Sequence, residues 1–120
     1  MKYFAIRPVR GITQEYADAI ELQLETIRKE GHEIYDPIKD TNQLDSIGLR
    51  ICNDNRRAIE DCDAVLFLWD GKSTGCLFDL GMAFALRKSV RTVVGYMPRM
   101  TNGKSFQNMV FAWEEFENKL

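Results

Sequence analysis

The chain has 120 residues, 45% of them apolar and 28% charged, which suits one domain, 1–120, with a single core and excludes a two-domain arrangement and a disordered chain. Its 16 basic and 18 acidic residues leave a net charge of -2, so no global positive field attracts a phosphate backbone and nucleic acid is not an expected partner. The run from Met1 to Ile6 is too short for a signal peptide, and no stretch approaches the roughly 18 apolar residues of a membrane span. A soluble, cytoplasmic protein with no membrane partner is expected.

Lys2 to Arg7 reads as a short buried strand ended by Pro8 and Gly11. Tyr16, Ile20, Leu24 and Ile27 then recur at helical spacing, with Thr13 as the N-cap and Gly31 as the stop. His32 to Tyr35 reads as a second strand running into a loop at Asp36-Pro37, and His32, the single histidine, as a surface or packing residue. From about Asp45 to Cys62, Leu49, Cys52, Ile59 and Cys62 mark a second helix, with Gly48 weakening its first turn. The basic pairs Arg28-Lys29 and Arg56-Arg57 fall in helical segments and read as solvated faces.

Ala64 to Leu68 is a continuous apolar run, as expected of a central strand covered on both faces. A turn-rich loop, Asp70 to Gly75, leads into a helix from Cys76 to Leu86 with Leu77, Leu80 and Phe84 on one face. Val90 to Tyr96 supplies another strand, and Phe106, Met109, Val110, Trp113 and Phe116 a final amphipathic helix. The fold class is α/β, a Rossmann-like open parallel sheet of four to five strands flanked by helices. Cys52, Cys62 and Cys76 lack the spacing of a disulfide framework or a zinc site and are expected to be small buried residues. No metal and no cofactor are expected.

In such a sheet, ligands bind beyond the carboxyl ends of the strands. That rule brings together the loops Arg7 to Gly11, Asp36 to Gln43 and Trp69 to Gly75. Ser73, Thr74 and Gly75 enter a helix whose N-terminal amides favour an anion, although a simple cap by Ser73 or Thr74 accounts for the same spacing. Asp79 stands between Phe78 and Leu80 in an apolar helix. It leans back over Gly75 and Cys76, into a cleft or onto an exposed stripe.

Cys62-Asp63-Ala64-Val65, Ser73-Thr74-Gly75 and Asp79-Leu80-Gly81-Met82-Ala83, with Tyr3-Phe4-Ala5 to Arg10-Gly11 and Gly31-His32-Glu33, resemble the nucleoside 2-deoxyribosyltransferase family. The resemblance implies a doubly wound α/β fold. It also implies that the carboxylate at Asp79, a glutamate in the family, attacks the anomeric carbon, so that a glycosyl enzyme passes the sugar to another base or to water. A second family aspartate falls on Asn55, with Asp54 adjacent. The strand-one tyrosine that orients the nucleophile falls on Phe4, or on Tyr3 after a one-residue slip, and Arg7 replaces a usual glycine. The serine at Ser73 contacts a 5′ phosphate in relatives that act on monophosphates.

The expected activity is cleavage or transfer of the N-glycosidic bond of a nucleoside or nucleoside 5′-monophosphate. The catalytic candidates are Asp79, Asn55 and Asp54; the substrate-binding candidates are Phe4, Arg7, Arg10, Gly11, Asp40, Asn42, Asp70, Ser73 and Gly75. Arg7 and Arg10 either grip a phosphate or carboxylate bidentately or form surface ion pairs. Asp40, Asn42 and Gln43 either hydrogen-bond a base or ribose or shape an Asx-type loop. The alternative is a non-catalytic protein that binds a nucleotide or nucleotide signal, and after it an interaction scaffold built on Trp113 and Phe116. By resemblance, the partners are a nucleoside or nucleotide and further copies of the chain in a homodimer or higher homo-oligomer.

Overall fold

Strand β1 (Lys2–Ile6) sends Tyr3 and Ala5 to one side and Phe4 and Ile6 to the other. All four are buried, so the strand is covered on both faces. The computed structural model, which describes residues 1–118, continues with α1 (Gln14–Lys29). Thr13 caps this helix by accepting from the Tyr16 amide at 3.1 Å. Its buried stripe, Ile20, Leu24 and Ile27, packs on the Tyr3 and Ala5 face. Strand β2 (Glu33–Tyr35) then runs into the short α2 (Pro37–Asp40), where proline at the first position has no amide to waste and Asp36 accepts from the Ile38 amide at 3.1 Å.

Helix α3 (Leu49–Asp61) leads to β3 (Ala64–Phe67), α4 (Thr74–Ala85) to β4 (Ser89–Thr92), and α5 (Phe106–Phe116), capped by Ser105, closes the described chain. The strands are all parallel in the order β2-β1-β3-β4. Register places Phe4 opposite Tyr35 on one side and Val65 on the other. α1 covers one face of the sheet; Ile59 of α3, Cys76, Leu80 and Ala83 of α4, and Val110 and Trp113 of α5 cover the other. Among the described residues, no helix is long and apolar enough to cross a membrane.

Several boundaries differ from the sequence reading. The second long helix begins at Leu49 and not near Asp45, because Gly48 takes a left-handed φ of 96° and Asp45 accepts from the Ile47 and Ile51 amides ahead of it. The last strand stops at Thr92, since the chain turns through Gly95, with the Tyr96 amide bonded to the Val93 carbonyl. Where Asp36-Pro37 predicts a loop, the Asp36 cap and the proline at the first position open the single helical turn α2. Phe84 and Phe116, expected on core faces, are exposed, and Cys76 and Ala83 take the inward positions of α4. Leu49 is likewise exposed and Cys52 only partly buried.

Arg7 and Asp36 tie the carboxyl ends of β1 and β2 together. Their side chains are 2% and 1% exposed, with Arg7 Nη1 3.6 Å from Asp36 Oδ2. Arg7 Nε also donates to the Pro8 carbonyl at 3.4 Å, while Asp36 Oδ2 makes no hydrogen bond and is held by the charge alone. Breaking a buried pair strands the remaining charge. Asp36→Asn, which keeps an acceptor for the Ile38 amide, is therefore expected to lower unfolding free energy in urea by about 3–5 kcal/mol.

Candidate active site

The loop after β3 is shaped by its own side chains. Asp70 Oδ1 accepts from the Lys72 and Ser73 amides at 2.9 and 2.8 Å, an Asx turn that sets the entry into α4. Trp69 reaches across the loop and donates its indole N–H to the Ser73 carbonyl at 3.1 Å. Ser73 is the N-cap, with Oγ 3.5 Å from the Cys76 amide, so the capping reading of the sequence is realised. The Thr74 and Gly75 amides lie in the first turn, where a helix has no internal acceptor for them. Gly75 is exposed, and a Cβ there would meet only Ser73 Oγ at 3.9 Å. Packing within the fold does not demand glycine; its effect is to leave space in front of the helix end.

One turn on, Asp79 is half-buried where α4 packs against α3. Burial pushes its carboxyl pKa up to about 7 from an ordinary 3.8, and hydrogen bonding from the Asn55 side chain opposes that rise. The ordering of these effects follows from size. Removing a carboxylate from water costs several kcal/mol, whereas one hydrogen bond to a charged acceptor returns about 1.5–3 kcal/mol. Asn55 is itself buried, 5% exposed, and its Oδ1 accepts from Thr41 Oγ1 at 2.9 Å. The same burial pushes the neighbouring Cys76 thiol up to about 12.

The other candidates fall into different surroundings. Asp54, next to Asn55 in sequence, points along the outer face of α3 and pairs with Arg50 at 2.6 Å and Arg57 at 3.1 Å. Phe4 is fully buried in the core and stacks on Tyr35, with ring centroids 5.4 Å apart. The two arginines do not share an environment: Arg7 is buried against Asp36, whereas Arg10 is exposed in the loop that Gly11 turns with a φ of +70°. Asp40 accepts from the Asp36 amide at 2.8 Å and Asn42 from the Leu44 amide at 2.9 Å, as an Asx-type loop requires. Gln43 donates to the Pro37 carbonyl at 2.7 Å.

Asp79 and Asn55 thus meet at the α3–α4 seam, Ser73 and Gly75 open α4 a turn or more before Asp79, and Arg7 and Asp70 lie close enough to Cys76 to act on its thiol. Thr41, which reaches Asn55 from the loop, and Tyr35 of β2, which reaches Thr41, are not singled out by the sequence. Neither lies on a periodic face, and only a hydrophilic loop marks Thr41. Among the described residues, no group of three or more His, Cys, Asp or Glu side chains is placed to hold a metal. Two surface grooves, of about 470 Å³ beside Tyr35 and Asp54 and about 710 Å³ beside Phe84 and Phe116, do not include Asp79.

A parallel sheet flanked by helices, with its strands in the order β2-β1-β3-β4, defines an α/β protein of the doubly wound class, in which ligands bind beyond the carboxyl ends of the strands. The family model described as nucleoside 2-deoxyribosyltransferase matches residues 7–116, and the chain belongs to that family. Among solved structures it is similar to a 2-deoxyribosyltransferase from Bacillus psychrosaccharolyticus, at 18% identity and a TM-score of 0.69 over 98% of this chain and 91% of that one. It is also similar to a CMP N-glycosidase from Clostridium botulinum, at 16% identity and a TM-score of 0.62 over 98% of this chain and 84% of that one. Comparison with curated protein sequences gave no match.

Asp79 carries a stability signature that needs no substrate. Between its ordinary value of 3.8 and about 7, the unfolded chain ionises while the folded chain keeps the proton. Stability therefore falls as pH rises through that window and levels off above it. Asp79→Asn is expected to raise the melting temperature at pH 8, with the gain shrinking toward zero near pH 4. A thermal-melt series across that range measures it.

Proposed function

We propose that the protein cleaves or transfers the N-glycosidic bond of a nucleoside or nucleoside 5′-monophosphate, with Asp79 as nucleophile. The observation that carries this reading is a half-buried carboxylate with a pKa of about 7, one turn inside the open end of α4, in a chain of this family. The names of the two similar structures, a deoxyribosyltransferase and a CMP N-glycosidase, support the same reaction class.

In the first step, an Asp79 oxygen attacks the anomeric carbon as the C–N bond breaks and the base departs with the bonding electrons. In the second, water or another base attacks the same carbon and frees the carboxylate. Partial desolvation leaves the carboxylate more basic than one in water, and the transition state, oxocarbenium-like, places positive charge beside it. Asn55 donates a hydrogen bond and cannot accept and release a proton as a carboxylate would. The exposed first turn of α4, with Ser73 at its head, suits a 5′ phosphate, because its amides and the helix dipole attract an anion. Arg10, exposed near the strand ends, adds positive charge to that side.

A cytoplasmic location and assembly into a homodimer or higher homo-oligomer belong to the same proposal. The exposed rings of Phe84 and Phe116, which border one surface groove, support assembly, since a monomer rarely leaves a large apolar patch in water. Light scattering on a size-exclusion column is expected to report at least a dimer.

Incubation with a panel of nucleosides and 5′-monophosphates, read by chromatography for free base, is the direct test. Turnover is expected to rise with pH through about 7 and then level, since only ionised Asp79 attacks. Asp79→Ala is expected to reduce it by about 10⁴-fold or more. Tight nucleotide binding with no base released from any member of the panel would favour the non-catalytic reading, for which a raised melting temperature with ligand is the signature.

A further inference from the structure

A line of hydrogen-bonded side chains runs from the edge of the sheet to Asn55, whose side chain acts in turn on Asp79. Tyr35 Oη lies 2.6 Å from Thr41 Oγ1, and Thr41 Oγ1 lies 2.9 Å from Asn55 Oδ1. Thr41 and Asn55 are 4% and 5% exposed, so water does not compete for the bond between them. Each hydroxyl has one proton to give. Tyr35 has a second acceptor in the Asp40 carbonyl, but at 3.1 Å against 2.6 Å to Thr41. The shorter contact takes the tyrosine proton, and Thr41 then has its own proton free for Asn55 Oδ1.

That choice decides which end of the amide meets Asp79. An asparagine whose oxygen is held by Thr41 presents its NH₂ to the carboxylate. Turned over, it would present a carbonyl and repel the ionised form. We propose that Thr41 and Tyr35 are positioning residues, which lock the Asn55 amide so that its nitrogen faces Asp79 and holds the carboxylate in one orientation.

The lock also has a fixed platform. Tyr35 stacks on Phe4, its register partner on β1, at an interplanar angle of 14°. Its hydroxyl is therefore placed by the sheet itself. The titratable side chains whose charge is coupled to Asp79 are Cys52 on α3 and Cys76 on α4. Burial raises both thiols, so they stay neutral while Asp79 titrates. The role of the lock in catalysis rests on the reaction proposed above; its effect on the carboxyl group does not.

The test is a titration of Asp79 by carbon NMR of its side-chain carboxyl, with the full chain and no substrate, in the wild type, Thr41→Val, Thr41→Ser and Tyr35→Phe. Loss of one hydrogen bond to a charged acceptor is expected to raise the midpoint in Thr41→Val by about one pH unit. Thr41→Ser is expected to restore it, and Tyr35→Phe to raise it by less. A midpoint in Thr41→Val that is unchanged or lower overturns the proposal. If that variant does not fold, Tyr35→Phe decides alone by the same criterion. Where a substrate is in hand, the midpoint of the pH–rate profile is expected to move with the NMR midpoint while KM stays constant. A shift in NMR without turnover in any variant would refute the reaction and leave the lock standing, whereas turnover with a fixed midpoint would refute the lock and leave the reaction.

Discussion

Connections between parallel strands must be right-handed, and in this chain that constraint places everything else. From β1 the chain moves outward to β2, so α1 lies on one face; from β2 it moves back past β1 to β3, and on to β4, so α3 and α4 lie on the other. The loops leaving β1 and β3, adjacent in the sheet, therefore depart to opposite sides. In sheets of this kind that divergence is where ligands bind, without any side chain having to hold the two loops apart. Arg7, buried against Asp36, follows the first of these strands, and the loop of Asp70 and Ser73 leads from the second into α4.

Within α4 the protein accepts an energetic conflict. α4 is apolar around most of its circumference, burying Cys76, Leu80 and Ala83 while Phe78 and Phe84 remain outside. A carboxylate in such a helix works against folding above neutral pH, and Asn55 removes only part of the penalty. A sequence chosen for stability would place an apolar or small residue at position 79. The other buried polar side chains described, Arg7 with Asp36 and Thr41 with Asn55, have partners within the fold; an uncompensated local cost of the kind Asp79 carries is more common at functional positions than elsewhere.

Legibility from the sequence tracked how local the cause was. Ile20, Leu24 and Ile27 follow from spacing, because a surface helix has one buried stripe. Ala64 to Leu68 follows from composition, because a strand buried on both faces carries no polar residue. Asp79 was legible as an anomaly for the same reason. Phe84 and Phe116 were misjudged because hydrophobicity alone does not say which of several apolar faces meets the sheet; geometry chose Ala83, leaving Phe84 to rest edge-on against Trp113 at 5.1 Å. The buried Arg7–Asp36 pair and the Tyr35–Thr41–Asn55 line were illegible. Each joins residues that only the pairing of strands or the return of a loop brings together, and no periodicity within one element encodes such a contact.

The chain contains only 2 tryptophans, and the fold sets them at opposite ends of the sheet. Trp113 is buried where β4 begins, its indole donating to the Lys88 carbonyl at 3.2 Å. Trp69 stands at the carboxyl ends, ring to ring with Phe67 and Phe106, and holds the carbonyl of the very residue that caps α4. Its indole is therefore tied to the entry of α4, while that of Trp113 lies at the far end of the sheet. An optical probe is thereby built into the chain at the head of that helix, with no label to attach and no residue to replace.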